Sequence, residues 1–432
     1  MFKKAFMVFT FLSIFTLVIT ACAKQPTAAP STGIEPAEEK PVEPVKLVFW
    51  HQYDKANAEF IDQQVEQFNS EHEDIQVEAV VQPSYDEYKT LLQSSILSDS
   101  TPDIAAVDLI WVPGLVKTGA VQELDSYVTD TDFNLADFYP MLTDYDTMDG
   151  KRYGVPMSAN NMQVIWNKDL FTKAGLDPEV PPKTWDEMQS MAIKCSDAKN
   201  GIVGFEFYTQ PTGEGITWQF QVWLWAAGGK FLNEDNTKAA FNTPEGLKAL
   251  TYVSTMLDGN GSVAGPWGAF GDGKACMQLD GSWLFGYRTG APFQWEIALV
   301  PHPEGGTSAS NVGGERLVIF KNSKNKDAAW EFVKYLTSSE TQLKWDIATG
   351  FMPVRKSVGE DPEYIKWVNE TEPRMLPFVE GMEYAHTRPA TPFYNEISDA
   401  FSREIQKAYL GLTTPAEALV AAEIAVNDIL SQ

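Results

Sequence analysis

The sequence predicts an α/β protein with two lobes, between which the chain crosses several times. Strand-like runs alternate with amphipathic helices along most of the chain, which is typical of sheets covered by helices. The 432 residues leave enough length, after the N-terminal segment, to bury two hydrophobic cores. Because 44% of the residues are hydrophobic and no internal repeat occurs, we expect one globular body rather than a repeat array.

The first part of the folded region has the pattern β-α-β-α-β, which predicts a parallel sheet. Apolar residues between Phe60 and Phe68 share one helical face, and Ser84 with Glu87 forms a capping box before the next helix. The strands predicted here are Val45–His51, Ile75–Gln82 and Asp103–Val107.

The alternation resumes in the second half of the chain. Further helices are expected to begin at Thr184, at Thr243 and at Thr414, where a capping residue precedes an apolar face. The strands predicted here are Gln163–Asn167, Ile202–Tyr208, Trp295–Pro301 and Glu315–Phe320, and two further helices are Ala328–Leu336 and Ile397–Tyr409.

The N-terminus has the pattern of a secretion signal. Lys3 and Lys4 precede an apolar run that is too short for a comfortable membrane span and that ends at Cys22. The small residues before Cys22 resemble the lipobox of bacterial lipoproteins, which predicts a signal peptide over 1–21 and lipidation of Cys22. The alternatives are an ordinary signal peptide and an uncleaved anchor.

A proline-rich polar segment follows Cys22 and is predicted to be a flexible linker over residues 22–44. The folded part would then work on the outer face of the cell membrane, or in the periplasm if an outer membrane is present. The net charge of −26 disfavours nucleic acid as a partner, because binding to phosphates depends on Lys and Arg.

The sequence lacks the common motifs of catalytic, metal-binding and nucleotide-binding sites. The four histidines lack zinc-ligand spacing, and no G-x-S-x-G or Walker A motif occurs, so we predict no catalytic residue, metal or cofactor. Cys195 and Cys276 could form a disulfide outside the cell, but their spacing says little and we expect two buried thiols.

Four stretches together resemble the sugar-type, family 1 extracellular solute-binding proteins of ABC importers. They are YGVPMSANNMQVIWNKDLF (Tyr153–Phe171), GKACMQLDGSW (Gly273–Trp283), the segment Asn311–Gln342, and TGFMPVRKSV (Thr349–Val358). In the second stretch Cys276 replaces a residue that is usually small in the family. The resemblance extends over nearly all of Val45–Gln432.

The resemblance implies a type II periplasmic-binding-protein fold, in which two α/β lobes close on a ligand in the cleft between them. Crossings are expected near Pro156, Ser308 and Gly350. The implied N-lobe comprises residues 45–156 and 308–350, and the implied C-lobe comprises 157–307 and 351–432. The implied protein is a monomeric receptor, not an enzyme, that delivers a carbohydrate to an ABC permease.

Ligands of open α/β sheets bind beyond the carboxyl ends of the strands, and this rule selects candidate residues. After the first three strands the chain places His51, Tyr53, Gln82, Asp108 and Trp111. Flat rings beside planar hydrogen-bonding groups suit a sugar, which has an apolar C–H face and a rim of hydroxyls.

The second lobe is expected to supply the remaining contacts. Trp283 is the strongest candidate for stacking, by its match to the family, and glycine at 314 would let a ligand approach the backbone. The full set from this part of the chain is Asn160, Glu214, Trp267, Asp280, Trp283, Gly314 and Arg355.

Three other functions stay open at this point. Arg355 and Arg388 could bind phosphate bidentately, as expected for a receptor of glycerol-3-phosphate or its diesters. A surface glycoside hydrolase is a second alternative, because carboxylates are plentiful. A structural lipoprotein or adhesin without a small ligand is the third.

Overall fold

The computed structural model describes residues 43–209, 214–258, 262–265, 268–288 and 291–432. The predicted signal peptide, residues 22–42 of the linker including Cys22, and Trp267 lie outside these residues. No helix in the described ranges combines the length and apolar character needed to cross a membrane.

The strands of the described chain form two five-stranded sheets and two small pairs. The first sheet has the order β2-β1-β3-β13-β6, and the second has the order β11-β7-β10-β8-β9. The strands are β1 Val45–His51, β2 Ile75–Val81, β3 Ile104–Asp108, β4 Thr147–Met148, β5 Lys151–Arg152, β6 Val155–Pro156, β7 Met162–Asn167, β8 Val203–Tyr208, β9 Ser262–Gly265, β10 Ala275–Gly281, β11 Trp295–Ala298, β12 Ser310–Val312, β13 Glu315–Ile319 and β14 Ala385–Thr387.

The predicted strands are confirmed: β1 has the predicted ends, and no end of the others differs by more than three residues. β1 runs parallel to β2 and β3, as the opening pattern predicts. β13 returns antiparallel beside β3 and also pairs with β6. The carboxyl ends of the first three strands therefore meet at one edge of the first sheet.

The predicted helices are confirmed as well. Their starts follow the capping rules: Thr184 and Thr414 form complete capping boxes, and the side chains of Ser84 and Thr243 accept backbone hydrogen bonds. The α-helices are α1 Lys55–Glu71, α2 Tyr85–Leu97, α3 Val112–Thr118, α4 Asp125–Val128, α5 Pro140–Asp144, α6 Lys168–Lys173, α7 Trp185–Cys195, α8 Gly215–Ala226, α9 Pro244–Leu257, α10 Phe285–Arg288, α11 Lys326–Leu336, α12 Ser339–Thr349, α13 Lys356–Gly359, α14 Pro362–Lys366, α15 Leu376–Gly381, α16 Tyr394–Tyr409 and α17 Pro415–Leu430.

The chain passes between the two sheets near two of the predicted crossings, Pro156 and Ser308. It leaves the first sheet at β6 and enters the second at β7, then returns to the first sheet at β13. The short strands β12 and β14 pair in parallel beside this return, and α16 and α17 pack against α8 and α9. Several backbone segments therefore lie side by side between the sheets.

The expectation of two buried thiols is wrong, because Cys195 and Cys276 form a disulfide. Cys195 is the last residue of α7, and Cys276 lies near the start of β10. Helix α7 packs on β8 and β10, so the fold brings together two cysteines that are 81 positions apart. Sequence spacing carries no information about this packing.

A buried ion pair fixes the returning strand β13. Arg316 and Asp146 are both almost completely buried, and the Arg316 Nε atom lies 3.0 Å from Asp146 Oδ1. The Arg316 guanidinium also donates to the backbone carbonyl oxygens of Leu142 and Ser158. Burial raises the pKa of Asp146 to about 6, although the positive charge of Arg316 opposes the shift.

We expect Arg316→Met to lower the free energy of unfolding by about 3–5 kcal/mol, because it leaves the Asp146 carboxylate buried without its ion partner. Lys151→Met is the matched control, since it removes a pair with Glu123 in which both side chains are solvent-exposed. Lys151→Met should lower the free energy of unfolding by less than about 1 kcal/mol. Chemical denaturation measures both, and equal stability of the two variants would contradict the prediction.

We expect the double variant Cys195→Ser/Cys276→Ser to lose about 2–5 kcal/mol of stability, because the disulfide closes a long loop in the unfolded chain. Thermal unfolding with and without a reductant measures the effect. The reductant should lower the melting temperature of the wild-type protein and leave that of the double variant unchanged. If the reductant leaves the wild-type melting temperature unchanged, the disulfide does not stabilise the fold.

Candidate functional site

A cavity of about 570 Å³ lies where the carboxyl ends of β1, β2 and β3 face residues of the second sheet and its helices. This volume is in the range of small-molecule sites. The cavity is lined by Gln52, Tyr53, Asp54, Asn57, Val81, Gln82, Pro83, Ser84, Tyr85, Asp86, Asp108, Asn160, Tyr208, Glu214, Gly215, Trp218, Trp283, Gly313, Gly314, Glu315, Phe351 and Arg388.

Seven of the candidate ligand-binding residues that the structure describes line this cavity. The first sheet and its connections contribute some of them from the ends of β1, β2 and β3, and the crossing segments and the second sheet contribute the others. They are Tyr53, Gln82, Asp108, Asn160, Glu214, Trp283 and Gly314.

Two indole rings form an aromatic surface on the second-sheet side of the cavity. Trp218 lies in α8 and Trp283 follows β10, and their ring centroids are 5.1 Å apart with an interplanar angle of 23°. Both side chains are only partly buried. The ring of Trp283 folds back over Gly281, where any side chain would collide with it. Glycine at 281 therefore permits this orientation of the indole.

Arg388 connects residues of the two sheets at one side of the cavity. Its Nη2 atom lies 2.9 Å from Asp108 Oδ1, and its Nη1 atom lies 3.4 Å from Glu214 Oε1. The guanidinium also lies over the Trp218 ring, 5.7 Å from its centroid. Burial acts against the charge of Arg388, but Asp108 and Glu214 outweigh this effect and raise its pKa.

The two carboxylates paired with Arg388 have further donors. Tyr85 donates its hydroxyl to Asp108 Oδ2 at 3.0 Å, while Tyr394 and Ser398 donate to Glu214 at 2.5 and 2.6 Å. Burial raises the pKa of Glu214 despite these hydrogen bonds and the nearby Arg388. The carboxylates are therefore held in fixed orientations before any ligand enters.

A third carboxylate, Glu315, lies between these groups and the crossing segment. It accepts hydrogen bonds from the hydroxyls of Ser158 and Tyr53 and from the side-chain amide of Gln52. Burial raises the pKa of Glu315, with Asp108 adding to the shift. Its described hydrogen-bond partners are all neutral.

Gly314 lines the cavity, and the position that its side chain would take is occupied by the crossing segment. Its backbone has φ +122°, and a Cβ atom there would lie 2.1 Å from the carbonyl oxygen of Ser158. The crossing segment at Ser158 and Asn160 therefore uses the room that the missing side chain leaves. Close approach of a ligand to this backbone from the cavity side stays a prediction.

His51 and Trp111 do not belong to the described lining of the cavity. His51 ends β1 with its ring buried between Phe49 and Tyr53, and burial lowers its pKa to about 4, so the ring is neutral. Trp111 is buried against Tyr85, and it borders a separate cavity of about 840 Å³. The His51 ring therefore packs among aromatic residues of the first sheet's core, whereas Trp111 belongs to a hydrophobic core that also includes residues of the second sheet, such as Val164.

Asp280 and Arg355 are also outside the described lining. Asp280 is buried in β10, where Oδ1 accepts a hydrogen bond from the backbone N–H of Gly281. Arg355 is bound by Asp137 and by the carbonyl oxygens of Phe133 and Thr337. These contacts fix local structure, so Arg355 is not placed to contact a phosphate in the described cavity.

The structure adds lining residues that the sequence analysis does not select. Asn57 is a buried polar residue in α1, Tyr208 ends β8, and Phe351 follows Gly350, the residue after the end of α12. Glu315 could have been found from its position directly after Gly313-Gly314. Asn57 and Phe351 carry no comparable signal, because only the folded chain brings them to the cavity.

The lining is strongly acidic. Among the described residues, five carboxylates line the cavity against a single cation, Arg388, which is already paired with two of them. The five are Asp54, Asp86, Asp108, Glu214 and Glu315. This arrangement can accept many hydrogen bonds from hydroxyls, and it opposes an anionic ligand by like-charge repulsion.

The family model of the bacterial extracellular solute-binding protein matches residues 63–371, which is more than half of the chain. Among curated proteins, the sn-glycerol-3-phosphate-binding periplasmic protein of Pectobacterium atrosepticum is 23% identical over 449 residues, covering 95% of each chain.

Two solved structures are similar over their whole length. The cyclic α-maltosyl-1,6-maltose binding protein from Arthrobacter globiformis is 42% identical, with a TM-score of 0.78, and the match covers 90% of this chain and 99% of that one. An ABC transporter solute-binding protein from Thermotoga lettingae, bound with α-D-tagatose, is 32% identical with a TM-score of 0.81. The match covers 89% of this chain and 100% of that one.

These similarities and the two-sheet topology confirm the type II periplasmic-binding fold, with two α/β lobes around a cleft. The chain therefore belongs to the bacterial extracellular solute-binding protein family.

Proposed function

We propose that this protein captures a carbohydrate outside the cell and delivers it, unchanged, to the permease of an ABC importer. The observation that carries the proposal is the stacked pair of Trp218 and Trp283 in a cavity rich in hydrogen-bond acceptors. An indole face matches the C–H face of a pyranose, and carboxylates and amides match its hydroxyl rim.

The energetics require several such contacts at once. Covering about 40 Å² of a sugar face on an indole contributes roughly 1 kcal/mol, and each rim hydrogen bond contributes about 1 kcal/mol net. Association costs at least ~4 kcal/mol. Two indoles together with acceptors from both lobes, such as Gln82, Asn160 and Glu315, supply enough contacts to exceed this cost.

The relatives support a carbohydrate ligand. The Arthrobacter protein is named for a cyclic maltosyl-maltose, and the Thermotoga structure contains tagatose. A glycerophosphate ligand is less well supported, because Arg355 lies outside the described lining and both Nη atoms of Arg388 are paired with carboxylates. The acidic lining favours an uncharged polyol.

The remaining parts of the proposal rest on the sequence. Cys22 would carry the lipid that keeps the receptor at the outer face of the cell membrane. Residues 22–44 would form the tether. The N-lobe would comprise 45–156 and 308–350, and the C-lobe 157–307 and 351–432. The protein would meet its permease as a monomer.

A thermal-shift screen tests the proposed ligand class. A tight carbohydrate at a thousand times its dissociation constant should stabilise the protein by about 4 kcal/mol. The panel contains mono- and oligosaccharides, cyclic glucans and glycerophosphodiesters, and each hit is incubated to detect released reducing ends. Binding without turnover supports the proposal. Stabilisation by phosphodiesters alone, or release of reducing ends, would overturn it.

We expect Trp283→Ala to weaken carbohydrate binding at least tenfold, because it removes one of the two stacked indole faces. Trp367→Ala is the matched control, since Trp367 is also partly exposed but does not line the described cavity. Isothermal titration calorimetry measures the affinities, and circular dichroism checks the fold. An unchanged affinity of Trp283→Ala would exclude the residue from the site.

A further inference from the structure

Arg388 is the one cation in the described lining of the cavity, and it contacts both sides of the cleft. Asp108 ends β3 in the first sheet, whereas Glu214 directly precedes α8, which packs on the second sheet's strand β8. Arg388 itself follows β14, in the segments between the sheets. One side chain thus connects three separate parts of the chain.

The geometry leaves Arg388 little freedom for another role. Its two Nη atoms are paired with Asp108 and Glu214, and its side chain is 2% exposed. The Nε atom is buried and lacks a hydrogen-bond partner among the described residues. The two Nη atoms that an end-on bidentate contact with an anion would use each already face a carboxylate, which disfavours that role.

Without Arg388, the carboxylates would repel each other. Asp108 and Glu214 already interact unfavourably with one another, and Glu315 lies opposite Asp108 in the register between β13 and β3. Like charges facing each other across a strand pair are destabilising. Among the described lining residues, Arg388 offsets this repulsion, because its guanidinium lies between Asp108 of one lobe and Glu214 of the other.

Building on the proposed function, we propose that Arg388 is a positioning residue that orients Asp108 and Glu214 toward the ligand and holds the two lobes together at this end of the cleft. Asp108 Oδ2 and Glu214 Oε2 each accept one described hydrogen bond from a neighbouring hydroxyl, so each keeps capacity for a ligand hydroxyl. The contact of Arg388 with Trp218 extends the same role to the aromatic surface.

The proposal assigns the role of Arg388 to the shape of its guanidinium and not to its positive charge alone, and the variant Arg388→Lys tests this. A lysine at position 388 keeps the positive charge but has a single ammonium, which cannot form the planar fork that reaches two carboxylates. We therefore expect Arg388→Lys to keep a melting temperature within a few degrees of the wild type and yet to bind carbohydrate at least tenfold more weakly. Arg388→Met should lose more affinity and also stability.

The matched control is Arg374→Lys. Arg374 is likewise paired with a carboxylate, Glu372, and lies 3.9 Å above the ring centroid of Trp295, but it is not part of the described cavity lining. Its replacement should leave the affinity within twofold of the wild type. This control accounts for the general effect of replacing an arginine that stacks on an indole.

Small-angle scattering supplies a readout that a purely local structural role would not change. We expect the ligand-free Arg388→Lys protein to have a larger radius of gyration than the ligand-free wild type, because one connection between the lobes is lost. A saturating concentration of the carbohydrate that most stabilises the wild type in the thermal-shift screen should make the two radii of gyration equal. Arg374→Lys should match the wild type in both states.

Two results would overturn the positioning role: Arg388→Lys with wild-type affinity, or a ligand-free scattering profile identical to that of the wild type. The wild-type ligand screen distinguishes this failure from failure of the proposed function. If the wild type binds no carbohydrate, the proposed function fails, and the ligand-free scattering comparison alone then decides whether Arg388 connects the lobes.

Discussion

The antiparallel return of β13 into the first sheet is the constraint on which the site depends. Its pairing with β3 places Glu315 opposite Asp108, and its pairing with β6 places it beside the crossing segment. Consecutive side chains of a strand point to opposite faces. Glu315 therefore lines the cavity while Arg316 reaches the buried Asp146. A shift by one residue would exchange these two roles.

Much of the fold follows from local sequence pattern. Strand β1 and the helices capped by Thr184 and Thr414 could be placed from periodicity and capping alone, because short-range interactions determine them. The cavity was only partly predictable. Residues at strand ends such as Gln82 and Asp108 line it, but His51 and Trp111 turn inward. The disulfide and the contribution of Asn57 depend on long-range packing, which residue spacing does not encode.

Charge explains why several polar candidates have structural partners. A buried carboxylate or guanidinium must be paired or hydrogen-bonded, since an isolated buried charge is costly. Arg355 meets this requirement with Asp137 outside the described cavity lining, and Arg388 meets it with Asp108 and Glu214 inside the cavity. The same residue type thus supports the scaffold at one position and shapes the site at the other.

The stacked indoles also have an optical consequence. Two tryptophan rings 5.1 Å apart are close enough for their electronic transitions to couple, so the pair should contribute its own signal to near-ultraviolet circular dichroism. A guest that inserts against either ring or alters their mutual tilt would change that signal. The protein therefore contains an intrinsic spectroscopic reporter in the lining of its cleft, and occupancy can be followed without attaching a dye.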